Sequence, residues 1–191
     1  MRRNQVCARE GAEMGDRILV AYATKHGATG EIAEKIGQVL RQSGMSVDVL
    51  PVRDVTDVAA YKAVVLGSAL YIGRWLRDAA KFLEANEKAL AERQVWVFSS
   101  GPTEEGDPVE LLDGQRIPKA LQPIADRIRP RDVTVFHGYN NVDKMSGLEK
   151  WMIKRVEAPM GDFRDWDAIA SWAAGIASDV RHTETHSSPP A

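Results

Sequence analysis

The chain has 191 residues, 44% hydrophobic and 27% charged, which suits one globular domain with a sizeable core. Its net charge of −2 argues against nucleic acid as a partner, and no apolar run is long enough to span a membrane as a helix. Cys7 is the only cysteine, so a disulfide framework, an iron–sulfur site and a cysteine-based zinc site are excluded within one chain, and the expected compartment is cytoplasmic.

Residues 1–15 carry three arginines but no apolar stretch, so they read as a disordered extension rather than a secretory signal. Met14 is a candidate natural start. Ile18–Ala23 is a short apolar run suited to a strand buried on both faces of a parallel sheet. The loop Thr24-Lys25-His26-Gly27-Ala28-Thr29 is small and hydroxyl-rich. A helix should follow, because Ile32, Ile36, Val39 and Leu40 share one face and Gly44 can end it. A loop that opens a helix offers unpaired N–H groups and the positive end of the helix dipole, which suits a phosphate group. The pattern is neither GxGxxG nor a GK[ST] loop, so a dinucleotide or nucleoside-triphosphate fingerprint is absent. An ordinary strand-to-helix turn is the competing reading.

Ser46–Val52 alternates apolar and polar residues and contains Pro51, which suits an edge strand. Thr56–Ala60 is a candidate short helix. Ala63–Ser68 is the next buried strand, and a helix is expected from about Trp75 to Ala91. Val95–Ser100 is a fourth strand. Ile117, Leu121, Ile124 and Ile128 mark a helix bent by Pro123. Val133–Phe136 is a fifth strand. Asp165 can cap a last helix carrying Ile169, Ala173, Ile176 and Val180. The polar tail from 182 to 191 reads as disordered. One domain should therefore cover residues 16–181.

Buried strands alternating with helices mean an α/β fold: a five-stranded parallel sheet wound on both faces, with strand order 2-1-3-4-5. A ligand then sits at the carboxyl ends of strands 1 and 3. The loops 24–29, 68–75 and 99–107 are the ones that matter.

The T-x-x-G-x-T pattern of Thr24 to Thr29 resembles the phosphate loop of flavodoxins, with His26 standing where that family usually has another hydroxyl. The resemblance implies FMN as cofactor. It implies binding by Thr24, Lys25, His26, Gly27, Ala28 and Thr29, by Ser68, Ala69, Leu70, Tyr71, Ile72 and Gly73, and by Ser100, Gly101 and Pro102. Tyr71 or Trp75 can cover one flavin face, although Trp75 equally suits the core of the next helix. No aromatic lies between Ser99 and Arg116, where many flavodoxins stack a tyrosine, so one flavin face is expected to be open.

Three late stretches resemble the flavodoxin-domain group that includes menaquinone-dependent protoporphyrinogen oxidases. They are Val135–Gly138, Leu148–Val156 and Gly161–Trp166. The extra segment 139–164 before the last helix is unusual for a minimal flavodoxin. Leu148, Trp151, Met152 and Val156 form one stripe, surrounded by Lys144, Lys150, Lys154 and Arg155. Such a helix over 144–156 can lie on the inner face of an anionic membrane, cover an apolar substrate, or dock on the core with its lysines in water.

The resulting expectation is an FMN-dependent oxidoreductase passing electrons between a small organic substrate, protoporphyrinogen being a candidate, and a quinone. The alternatives are a flavodoxin carrier between protein partners and a flavin-free binding module. The net charge is mild for a carrier that docks by charge steering. No residue stands out as a catalytic acid or base. His26, His137, His182 and His186 form no credible metal cluster.

Overall fold

The computed structural model describes residues 17–140 and 161–187. The expected extension 1–15 and the basic stripe 144–156 lie outside the described residues. The parallel sheet comprises β1 (Ile18–Ala23), β2 (Val47–Pro51), β3 (Ala63–Tyr71), β5 (Gln94–Ser100) and β6 (Asp132–Phe136), in the order β2-β1-β3-β5-β6. That is the expected 2-1-3-4-5 winding. A two-residue strand, β4 (Arg74–Trp75), adds an antiparallel pairing at the end of β3.

Alternate residues of the central strands feed two apolar layers, because successive side chains leave a strand on opposite faces. Leu19, Ala21, Val64, Leu66, Val95 and Val97 point to one face. There they meet α2 (Arg77–Ala85), α3 (Glu87–Ala91) and α4 (Gln122–Ile128). Ile18, Val20, Val65, Trp96 and Phe98 point to the other. They pack on Ile32, Ile36 and Leu40 of α1 (Ala28–Gln42) and on Ile169, Ala173, Ile176 and Val180 of α5 (Trp166–Ser187). Pro51 sits in the edge strand β2, where its missing N–H costs no ladder bond. Asp165 caps α5 by accepting from the N–H groups of Asp167 and Ala168 at 3.0 and 2.9 Å.

Three expectations change, and one strand pairing was not expected. The helix drawn from Trp75 to Ala91 is two helices, and Trp75 lies in β4 before the first of them. Asn86 breaks it: its backbone leaves the helical region at φ −107° and ψ 12°, and its side-chain amide donates to the Phe82 carbonyl. Pro123 does not bend a helix over 117–128. It occupies the first turn of the shorter α4, where a proline loses no helical bond. The last helix does not stop at Arg181. It runs to Ser187, through the first six residues of the tail expected to be disordered, and the Thr183 hydroxyl donates to the Asp179 carbonyl one turn back. Finally, β7 (Tyr139–Asn140) pairs antiparallel with β8 (Gly161–Asp162), which closes the base of the extra segment.

Candidate functional site

A cleft lies at the carboxyl ends of β1, β3, β5 and β6, where this winding places ligands. Thr24, His26, Ala28 and Thr29 line it from the first loop and the start of α1. Ala69, Leu70 and Tyr71 line it from the end of β3. Ser100, Gly101 and Thr103 line it after β5, and Gly138 and Tyr139 after β6. Three loops that sequence brought forward therefore converge, joined by a fourth that it did not.

The first loop turns on Gly27, whose φ of +99° lies in the left-handed region that favours glycine. The Gly27 N–H donates to Thr24 Oγ1 at 3.0 Å, which leaves the Thr24 hydroxyl proton to donate elsewhere. Gly27 is also the N-cap of α1, and among the described residues no side chain caps that helix. Helix geometry leaves the N–H groups of Ala28, Thr29 and Gly30 without intrahelical acceptors. Thr29 is buried within this turn. The donors and the dipole of a 15-residue helix thus open beside two threonines and a histidine.

The second wall is a tight hairpin. Leu70 pairs with Trp75 and Tyr71 with Arg74, so Ile72 and Gly73 form the turn, at φ of +48° and +67°. A β-branched residue is strained there. Ile72 is 95% exposed, and neither it nor Gly73 borders the cleft. Ser68 does not border it either. Its buried hydroxyl donates to the Ala69 carbonyl and accepts from the Leu76 N–H, which ties down the hairpin. Trp75 belongs to the core, with its indole N–H donating to Ser99 Oγ. Tyr71 lines the cleft at 43% exposure, with Lys25 Nζ 5.7 Å from its ring centre.

The third and fourth walls are held together by backbone. The Gly101 N–H donates to the Phe136 carbonyl, and the Gly138 N–H to the Pro102 carbonyl. Gly138 must be glycine, since a Cβ there would stand 2.8 Å from the Gly101 oxygen. The ring nitrogens of His137 lie 3.2 Å from the Pro102 oxygen and 3.0 Å from the Gly106 oxygen. Pro102 thus shapes the wall through its carbonyl.

Sequence reasoning missed Thr103, Gly138 and Tyr139. No aromatic stands between Ser99 and Arg116. Tyr139 lines the cleft from another element, after β6, so a second ring borders the site without coming from that loop. The only available signal was the His-Gly-Tyr run directly after a buried strand.

Behind the cleft lies Arg164, whose side chain is 4% exposed. It donates from Nε and Nη2 to both oxygens of Asp162 at 2.7 Å, and from Nη1 to Glu31 at 2.7 Å and to the Ala28 carbonyl at 3.3 Å. Its guanidinium stacks 4.4 Å from the Trp166 ring centre and 5.1 Å from that of Tyr139. These hydrogen bonds hold the Asp162 carboxyl below its usual range. They also raise Arg164 against the opposing pull of burial.

Among the described residues no cluster of histidine, cysteine and carboxylates could hold a metal, and no helix is long and apolar enough to cross a membrane. The donor set instead fits a ligand with an anionic end at α1 and a flat, partly apolar end between Leu70, Tyr71 and Tyr139.

A family model described as a flavodoxin domain matches residues 19–167. No curated protein matches the sequence. Among solved structures, the chain is similar to a flavodoxin from the domain Archaea, at 15% identity and a TM-score of 0.58, covering 87% of this chain and 99% of that one. It is similar to rubredoxin oxygen:oxidoreductase from Desulfovibrio gigas, at 12% identity and a TM-score of 0.58, covering 87% of this chain and 36% of that larger one. It is also similar to a WrbA-like flavodoxin protein from Agrobacterium tumefaciens, at 16% identity and a TM-score of 0.54, covering 87% and 98%.

Proposed function

We propose that this chain, which belongs to the flavodoxin-domain family, binds FMN and passes electrons between a small organic substrate and a quinone-type acceptor. The observation that carries the reading is the uncapped start of α1 opening into a cleft at the ends of β1 and β3. There the N–H groups of Ala28, Thr29 and Gly30 and the hydroxyls of Thr24 and Thr29 would hold the phosphate, with His26 beside them. Leu70, Tyr71 and Tyr139 would border the ring, and backbone around Ala69, Ser100 and Gly101 would meet its polar edge. A single phosphate-type loop is legible, which favours FMN over FAD. FMN supplies the redox chemistry when bound, and the chain's part is to bind it, orient it and limit its contact with water.

Two features support an enzyme over a carrier. The net charge of −2 is small for docking by charge steering, and the loop Gly101–Arg116 brings no ring to the cleft. A flat substrate can then stack within reach of the reactive ring atoms. Tyr139 is the observation that favours the second reading, a flavodoxin-type carrier, since a second ring shields a flavin. Stepwise anaerobic reduction and turnover with a soluble quinone separate the two. The enzyme reading expects little one-electron-reduced flavin and measurable quinone turnover. A long-lived one-electron state without turnover supports the carrier. Protoporphyrinogen is the first donor to test, on the sequence resemblance alone.

The basic stripe 144–156 is proposed as a peripheral contact with the inner face of an anionic membrane. It should pellet the protein with anionic vesicles at low salt and release it at high salt, because salt screens the attraction. Replacing Lys150, Lys154 and Arg155 by glutamine should abolish pelleting. Binding that ignores both salt and substitution contradicts the proposal.

A further inference from the structure

The first turn of α1 carries a problem for any anion bound at its N-terminus. Glu31 places a carboxylate there, and Asp162 brings a second from β8. Both carboxylates meet at one buried cation, Arg164. The same guanidinium holds the carbonyl of Ala28, a residue that lines the cleft. It lies over the ring of Tyr139, which also lines the cleft, and over that of Trp166. Arg164 therefore touches the cleft's phosphate wall and its aromatic wall without lining the cleft itself.

We propose that Arg164 is the positioning residue that makes the α1 N-terminus permissive for a phosphate: it cancels the Glu31 charge and fixes the first turn through the Ala28 carbonyl. This rests on the FMN reading and adds a specificity determinant to it. With Arg164 in place the trio of Arg164, Glu31 and Asp162 carries one net negative charge. Without it, two carboxylates stand uncompensated beside the phosphate. At a separation of several ångströms and an intermediate dielectric, one uncompensated charge weakens anion binding by roughly ten- to thirty-fold. A ligand lacking the phosphate does not feel that charge.

The test compares FMN with riboflavin by calorimetric titration of the flavin-stripped full chain. Wild type should prefer FMN strongly over riboflavin. Arg164→Gln should weaken FMN by roughly ten- to thirty-fold and riboflavin by less than about three-fold. Arg164→Gln combined with Glu31→Gln removes the excess charge and should recover most of the FMN affinity. Glu31→Gln alone leaves the buried arginine paired with Asp162, so it should fold and should bind FMN at least as tightly as wild type. This variant keeps the proposal testable if Arg164→Gln fails to fold. The proposal is overturned if FMN and riboflavin weaken in parallel, if the double variant stays as weak as the single one, or if Glu31→Gln weakens FMN. A wild type that does not distinguish FMN from riboflavin overturns the phosphate-site reading itself. A wild type that prefers FMN, with an Arg164→Gln variant that does too, overturns only the role given to Arg164.

Discussion

The indole N–H of Trp75 donates to Ser99 Oγ at 2.9 Å, joining the hairpin after β3 to the end of β5. The same Ser99 hydroxyl donates to the Arg116 carbonyl at 2.8 Å, so a single buried hydroxyl ties three segments. Ser99→Ala leaves the indole N–H and the Arg116 carbonyl without this partner. The expected loss is about 1–3 kcal/mol, read from the denaturation midpoint in urea. An unchanged midpoint would show that the junction adds nothing to stability.

This contact also explains why Trp75 could be read two ways from sequence. Its neighbours Tyr71 and Gly73 suggest a ligand loop, and its partner lies 24 residues further along, beyond any local pattern. The strands were legible because β1, β3 and β5 are buried on both faces and read as unbroken apolar runs. Helix α1 was legible because Ile32, Ile36 and Leu40 repeat with the helical period, and α5 because Asp165 announces it. The loops after β1, β3 and β5 followed from strand order. Tyr139 and Arg164 did not, because a β7–β8 pairing brings Tyr139 to the cleft and Arg164 behind it across a long sequence gap. Within the predicted loops, sequence could not say which residues face inward. Ser68, Ile72 and Gly73 do not, because the hairpin turns them away or uses their groups internally.

Thr29→Ala and Gly27→Val should both weaken FMN. The threonine variant loses a hydroxyl beside a charged group, about 1.5–3 kcal/mol or roughly ten- to a hundred-fold in affinity. The valine variant forces a β-branched residue to a φ of +99°. Fluorescence titration with FMN reads both. Unchanged affinity in the two variants places the phosphate elsewhere.

Ile72 stands at φ of +48° with its side chain almost fully in water, so its strain is not offset by burial. Asparagine tolerates the left-handed region better. Ile72→Asn should therefore raise stability by about 1 kcal/mol, seen as a higher melting temperature. A lower melting temperature would mean that the isoleucine makes a stabilising contact at the hairpin tip.

The Asp162 carboxyl is held below its ordinary value by the Arg164 hydrogen bonds. A depressed folded-state pKa contributes stability that is present above the unfolded value of about 3.9 and lost as pH falls through the folded one. The wild type should thus lose stability below about pH 4, and Asp162→Asn should be less stable at pH 7 with a flatter acid limb. Urea denaturation at a series of pH values checks this. Parallel acid limbs for the two proteins would remove Asp162 from the account.

A flavin held by its phosphate at the start of α1 is checked by identifying the cofactor that the protein binds. The purified full chain, reconstituted with flavin if colourless, is heated and the released compound separated by chromatography. FMN should be recovered, with the visible spectrum of a protein-bound flavin before release. Recovery of FAD, or no flavin bound after reconstitution, would contradict it.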